Sequence, residues 1–418
     1  MHNKGFFSKI KEYVFSNMVT ILFILLCLIG LNLSGQPLTL VLDEIVNRIA
    51  RNLFIVLSLI IPVIAGMGLN FGIVIGAMAA QIVIIAVTHW KIVGIPGFLL
   101  CVALTTPIAI IFGYLTGKLL NKTKGQEMIT SMILGIFANG LYQLLFLFLV
   151  GTIIPMKNPR LMISGGVGIK NTVDLNGGIK YALDNLWRLS LYELVYYVAL
   201  FGVVGFIAIT IYRVVKKQGI VKKYIVFAIL SLIVVIGCQL PEVAEILFFV
   251  KVPMISIFIL VILWAFNVFI FKTKLGQDFR TVGQSAVVAN ASGINVNKTR
   301  IKAIIISTVL AAWGQIIFLQ NIGTLNTYGS HEQVGMFAIA AILIGGASVS
   351  KATNKQALLG VILFHTLFVV SPTAGKNLFN NAQIGEYFRV FVAYGVICVS
   401  LALYAWKKTV EAKRDLKM

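Results

Sequence analysis

Long uncharged apolar runs alternate along this chain with short clusters of Lys, Arg, Gly and Asn. About twelve of the runs approach or exceed the ~18 residues that predict a membrane-crossing helix. They fall near 17–35, 53–68, 71–88, 96–117, 128–151, 192–213, 223–240, 253–271, 302–321, 333–348, 355–371 and 386–406. The pairs around 53–88 and 333–371 are short and contain Gly, so some are expected to be broken or re-entrant. The pattern therefore predicts an all-α integral membrane protein with about ten to twelve spans. The stretch from Pro37 to Asn52 is short and amphipathic, carrying Asp43, Glu44, Arg48 and Arg51, and predicts an interfacial helix. The basic stretch Met1–Tyr13 leads into an apolar run that no small-residue cleavage site closes, which predicts a first membrane helix rather than a removed signal.

Composition supports the pattern. Of 418 residues, 59% are hydrophobic and 12% charged, against about 45–50% and about 25% in a soluble globular chain. A disordered chain, a coiled coil and an ordinary soluble enzyme are excluded. The net charge of +21 invites a nucleic-acid reading, but topology explains it better. With the N-terminus inside and the spans alternating, most Lys and Arg fall on inner segments: the two ends, 118–127, 213–223, 272–302 and 350–355. This is the inside-positive bias of membrane proteins, and it predicts cytoplasmic termini. The four cysteines lie within apolar runs without CxxC or metal spacing, and read as small hydrophobes.

No catalytic constellation, metal motif or GxxxxGK[ST] phosphate loop is present, so the chain has no evident means of hydrolysing ATP. Acidic residues fall at segment ends or in loops, and no Lys or Arg is expected at mid-membrane depth, which disfavours a proton relay. Candidate pathway groups are the polar and aromatic side chains within apolar runs: Asn70, Phe71, Gln81, Asn139, Tyr142, Gln143, Trp313, Gln315 and His365. Asn139, Tyr142 and Gln143 share one helical face. Such groups suit an uncharged, hydroxyl-rich or ring-shaped solute, or simply bond between helices. His365 either contacts solute or bonds a backbone carbonyl of the next helix. Gly66, Gly68 and Gly72 surround Asn70 and suggest either a discontinuous helix at a solute pathway or a tight helix crossing.

Two polar segments stand out. The external one, 152–190, is rich in Gly, Asn and Asp and predicts a folded loop or short hairpin. The internal one, 272–302, places small residues from Gln284 to Ser292 before Gly293, predicting a short helix that stops there. Such a helix suits a partner's groove or stands as a solvated loop. Within it Gly276, Arg280, Gly283, Ala289, Gly293, Ile294 and Val296 follow the order of a known pattern. This loop resembles the cytoplasmic loop of ABC importer permeases of the ribose-type sugar, nucleoside and branched-chain amino-acid branch. Ile339 to Ser348, with Gly345 and Gly346, resembles a second segment of that family, and Gly66–Gly72 its early Gly-rich segment. After Ser348 the chain departs from the family, as it does around 152–190 and 223–240.

The resemblance implies a single permease domain over 1–418 of type II-like architecture, in a bacterial inner membrane. It implies a second permease subunit, two ATPase subunits holding ATP and Mg, and an extracytoplasmic substrate-binding protein. Gly276, Arg280, Gly283, Gln284, Ala289, Asn290 and Gly293 would form the ATPase-coupling segment, with Ala289 in the ATPase groove. No cofactor is expected in this chain. A sugar or nucleoside is favoured as solute. An amino-acid permease is the nearer alternative, and a secondary transporter the further one.

Overall fold

The computed structural model describes residues 14–15, 17–217, 219 and 221–415, so the basic arm Met1–Tyr13 lies outside the described residues. In chain order the helices begin with α1 (Met18–Ser34), α2 (Leu38–Ser58), α3 (Ile60–Ile64), α4 (Ile73–His89) and α5 (Gly94–Lys122). They continue with α6 (Glu127–Leu144), α7 (Leu191–Val215), α8 (Lys222–Cys238), α9 (Pro241–Phe249) and α10 (Met254–Ile270). The last are α11 (Lys274–Gln284), α12 (Ala286–Ala291), α13 (Val296–Ile322), α14 (Ser330–Ile344), α15 (Asn354–Phe379) and α16 (Ala382–Asp415). Among the described residues, seven helices are long and apolar enough to cross a membrane, or nine if each of two bent pairs is one span. The bent pairs are α8–α9, at 87°, and α10–α11, at 71°. Helices α1, α4 and α14 are apolar but only 17, 17 and 15 residues long, so the ten-to-twelve count is not reached by this measure.

The core is built around α2–α3, α13 and α15, while α7 and α16 stand at the periphery with exposed apolar faces. The break between α2 and α3 follows from Pro62, which has no N–H to offer the Ser58 carbonyl one turn earlier. Ser307 Oγ of α13 donates to that carbonyl at 2.9 Å, and Asn267 Nδ2 of α10 donates to the Leu57 carbonyl at 3.2 Å. In an apolar surrounding a freed carbonyl needs such a donor.

Two corrections to the sequence reading concern α2. Pro37–Asn52 is not a separate interfacial helix, because the helix runs unbroken from Leu38 to Ser58 and bends on into α3. Charge does enter a candidate span: Glu44, Arg48 and Arg51 lie on one face of α2, and Arg48 bonds Glu44 at 3.0 Å. Arg51 Nη1 donates to Asn321 Oδ1 at 3.2 Å, at the end of α13. Arg48 is compensated by Glu44 of its own helix, whereas Arg51 also feels the charge of the 152–190 segment. Its Asp184, 1% exposed, accepts from Ser256 Oγ (2.7 Å), Gln320 Nε2 (3.1 Å) and Asn321 Nδ2 (2.6 Å).

Within that segment a short antiparallel hairpin closes at the Met162–Ile169 bridge, with Ile163 N donating to the Gly168 carbonyl at 3.0 Å and Lys170 N to the Leu161 carbonyl at 2.7 Å. The segment's two strands, β1 (Thr172–Asp174) and β2 (Arg188–Ser190), pair antiparallel with partners elsewhere. β2 pairs with β3 (Lys251–Pro253), ahead of α10, and β1 with β4 (Thr324–Asn326), between α13 and α14.

Asp184→Ala should strip one acceptor from three donors on α10 and α13 and leave Arg51 less compensated. A loss of about 3 kcal/mol is expected, read as a lower Tm in detergent. Asp174→Ala, on the exposed pair with Lys180 in the same segment, should cost less than about 1 kcal/mol.

Candidate functional site

Two regions concentrate the residues singled out in the sequence, and one stretch of backbone joins them. The first is the α11–α12 segment. α11 buries Gly276, Phe279 and Val282 and leaves Arg280 and Gln284 outside. Ser285 caps α12, accepting from Val288 N at 3.3 Å, and α12 stops as expected before Gly293, whose φ is +78°. Ala289 is fully buried against its own chain, while Val287 is 80% and Val288 56% exposed. The expectation that Ala289 itself enters a partner's groove therefore does not fit. With one side of so short a helix packed inward, the surface on offer is Val287, Val288 and Asn290. Val287 and Asn290 edge a cleft of about 430 Å³ bounded also by Lys124, Asn295 and Asn297.

The end of α11 rests on the Gly-rich break between α3 and α4. Gly66 has φ +74°, and a Cβ there would lie 2.7 Å from Gly283 Cα. A Cβ on Gly283 would in turn strike the Ile64 carbonyl oxygen. Two backbones thus meet with no side chain between them, which only Gly at both positions permits. Beyond Gly66 the break is held by side chains. Asn70 Oδ1 accepts from Gly72 N at 3.0 Å, and Ser131 Oγ of α6 accepts from Phe71 N at 3.1 Å. Gly68 sits against Met128 and Val349. Val349 belongs to the second break, where Gly345 and Gly346 end α14 and Gln356 Nε2 donates to the Gly346 carbonyl at 2.7 Å.

The second region is a groove of about 540 Å³ between α4, α6, α14 and α16. Phe71 lines it beside the break, with Met132 and Ile136. Asn326, Glu332 and Gln333 line it toward the 152–190 segment, to which β4 is tied through β1. Behind this wall runs a chain of hydrogen bonds. Tyr142 Oη donates to Gln81 Oε1 at 2.8 Å, and His331 Nδ1 meets the same oxygen at 2.9 Å. His331 Nε2 meets Asn139 Oδ1 at 2.9 Å, and Asn139 Nδ2 donates to Glu332 Oε1. With its nitrogen committed to Glu332, Asn139 must accept from His331 Nε2–H. A neutral His331 accepts at Nδ1 with the Gln81 amide turned over, its nitrogen then donating to both His331 Nδ1 and Tyr142 Oη in place of the bond from Tyr142, an assignment set by the network. Nearby, Tyr328 Oη donates to the Ile169 carbonyl at 2.7 Å, and burial pushes its hydroxyl pKa up.

The structure thus brings Gln81, Asn139 and Tyr142 together and leaves Gln143 outside their network. Trp313 Nε1 donates to Thr106 Oγ1 at 3.0 Å, an interhelical bond away from the groove. Gln315 is buried in α13, with neither amide atom bonded to another described residue. His365 packs beside the Phe364 and Phe368 rings, off the groove wall. Sequence reasoning passed over His331, Glu332, Gln333 and Asn326. The signal available was the polar pair at the first turn of α14, just ahead of the apolar run. Among the described residues no cluster of His, Cys, Asp or Glu is disposed to hold a metal.

Residues 41–401 match the family model described as the branched-chain amino acid transport system / permease component. Over 116 residues the chain is 35% identical to the autoinducer 2 import system permease protein LsrC of Klebsiella pneumoniae, covering 28% of this chain and 33% of that protein. It is 28% identical over 138 residues to the nucleoside ABC transporter permease protein NupC of Lactococcus lactis, covering 33% and 42%. To the xylose transport system permease protein XylH of Haemophilus influenzae it is 27% identical over 143 residues, covering 34% and 35%. The chain spans about a third of the length of the first curated relatives it matches. No solved structure matches it. The family match takes in both Gly-rich breaks, the α11–α12 segment and the groove, and the chain belongs to the branched-chain amino acid transport system / permease component family.

Proposed function

We propose that this chain is the membrane subunit of an ATP-binding-cassette importer, a single permease domain that moves a small polar solute, a sugar or nucleoside being favoured. The observation that carries the reading is the backbone contact of Gly283 with Gly66. It links α11–α12 to the break whose Phe71 lines the groove. In this reading two ATPase subunits bind ATP and Mg, and α12 presents Val287 and Val288 to one of them. Closure of the ATPase pair displaces α11, and the displacement reaches Phe71 through the Gly66–Gly72 backbone. A second permease subunit, identical or homologous, covers the open side of the groove. A binding protein delivers solute at the 152–190 face, which is extracytoplasmic, and both termini lie in the cytoplasm of a bacterial cell whose inner membrane holds the chain. The cycle is a shift of population between two states, driven by a ligand that prefers one of them.

The two halves of the linkage separate by mutation. Val288→Glu should weaken copurification of the ATPase at least about tenfold, since it sets an unpaired charge in an apolar contact. Gly283→Val should leave that copurification intact, because the position faces inward. It should instead lower uptake at least about tenfold, by forcing apart the two backbones. Uptake at the wild-type rate in Gly283→Val, with protein present in the membrane, would remove the linkage.

The energy source is a separate prediction. Uptake should stop when the partner ATPase loses its catalytic glutamate. It should persist when an ionophore collapses the proton gradient and ATP is held constant. The opposite pattern would restore the secondary transporter.

A further inference from the structure

We infer that Glu332 is the solute-recognition carboxylate of the groove, and that it selects a neutral hydroxyl-bearing ring rather than an amino acid, a phosphate ester or an amine; this rests on the importer reading above. Among the described residues Glu332 is the only charged side chain lining the groove, and no described Lys or Arg joins it there. A solute bearing a carboxylate or phosphate would have to shed water with no cation to receive it, and beside a fixed anion. Zwitterionic amino acids and phosphate esters are therefore disfavoured.

One oxygen of Glu332 is committed to Asn139, whose orientation is set by the buried His331–Gln81–Tyr142 chain. That chain positions the carboxylate on the wall, and its other oxygen is left to accept from a solute. Gln333 beside it offers an amide, which both donates and accepts. A hydroxyl also does both, so neighbouring hydroxyls on a ring satisfy the carboxylate and the amide together. An ammonium group only donates and leaves the amide N–H unanswered. Apart from Asn326, the remaining wall is apolar or aromatic, including Phe71 and Tyr394, and suits the C–H face of a ring.

The test uses the whole complex, with its ATPase and binding protein, in proteoliposomes supplied with radiolabelled ribose, xylose, adenosine or leucine. Ribose, xylose or adenosine should be taken up and leucine should not. At subsaturating solute Glu332→Ala should lower uptake at least about tenfold, while Glu332→Gln, which keeps an acceptor oxygen, should stay within about threefold. Equal loss in both variants would mean that the negative charge itself is needed and overturns the neutral-ring assignment, as would uptake of leucine alone. A second measurement needs no variant. In the wild-type complex, excess unlabelled glucose should compete with the transported solute at least as well as excess glucosamine, and stronger competition by the amine overturns the inference. Vesicles carrying an inactive ATPase report on the importer reading separately. Uptake there at the full rate sinks that reading, whereas leucine uptake lost with the ATPase sinks only the role given to Glu332.

Discussion

The contact of Gly66 with Gly283 is the constraint on which the rest of the arrangement depends. Two stretches of backbone distant in sequence touch without side chains between them. Side-chain packing can slip by changing rotamers, but backbone against backbone cannot. Displacement of α11 is therefore passed to the α3–α4 break rather than absorbed. The same rigidity explains why Phe279 is buried completely: α11 is clamped to the bundle on one face, while α12 turns inward only the side that carries Ala289.

At the opposite end of the groove the fixed element is the 152–190 segment. Asp184 draws together α10, α13 and, through Asn321, Arg51 of α2. The β1–β4 ladder ties the same segment to the residues just ahead of α14, where Glu332 begins the polar wall. The groove thus runs from the break that meets Gly283 at one end to β4, tied to the 152–190 segment, at the other.

Much of this was legible in the chain. The apolar runs predicted helices at all their positions, and Gln284–Ser292 predicted the short helix that stops before Gly293. What stayed hidden depends on partners remote in sequence. Arg51 marks a helix end to any hydropathy window, because the Asp184 and Asn321 that make its burial tolerable come from elsewhere in the chain. Ala289 stood out as a small residue on a short helix, but packing alone decides that it points inward and Val287 outward. Asn139 and Tyr142 were legible as one helical face. The His331 that joins them, and the Glu332 they present, lie on another helix and precede its apolar stretch.

These features also locate where motion costs least. The helices α2–α3, α13 and α15 are buried along most of their length, and moving any of them would open packed apolar surface. Within the 66–72 break, Phe71 and Gly72 are held by side-chain acceptors, Ser131 and Asn70, rather than by an unbroken helical ladder. Each such bond contributes only about 1 kcal/mol net and re-forms with a new neighbour when the backbone shifts. A displacement of α11 that the core resists is therefore accommodated in this seam. Phe71, the seam residue that lines the groove, is then the lining side chain that a shift of this seam would move most directly.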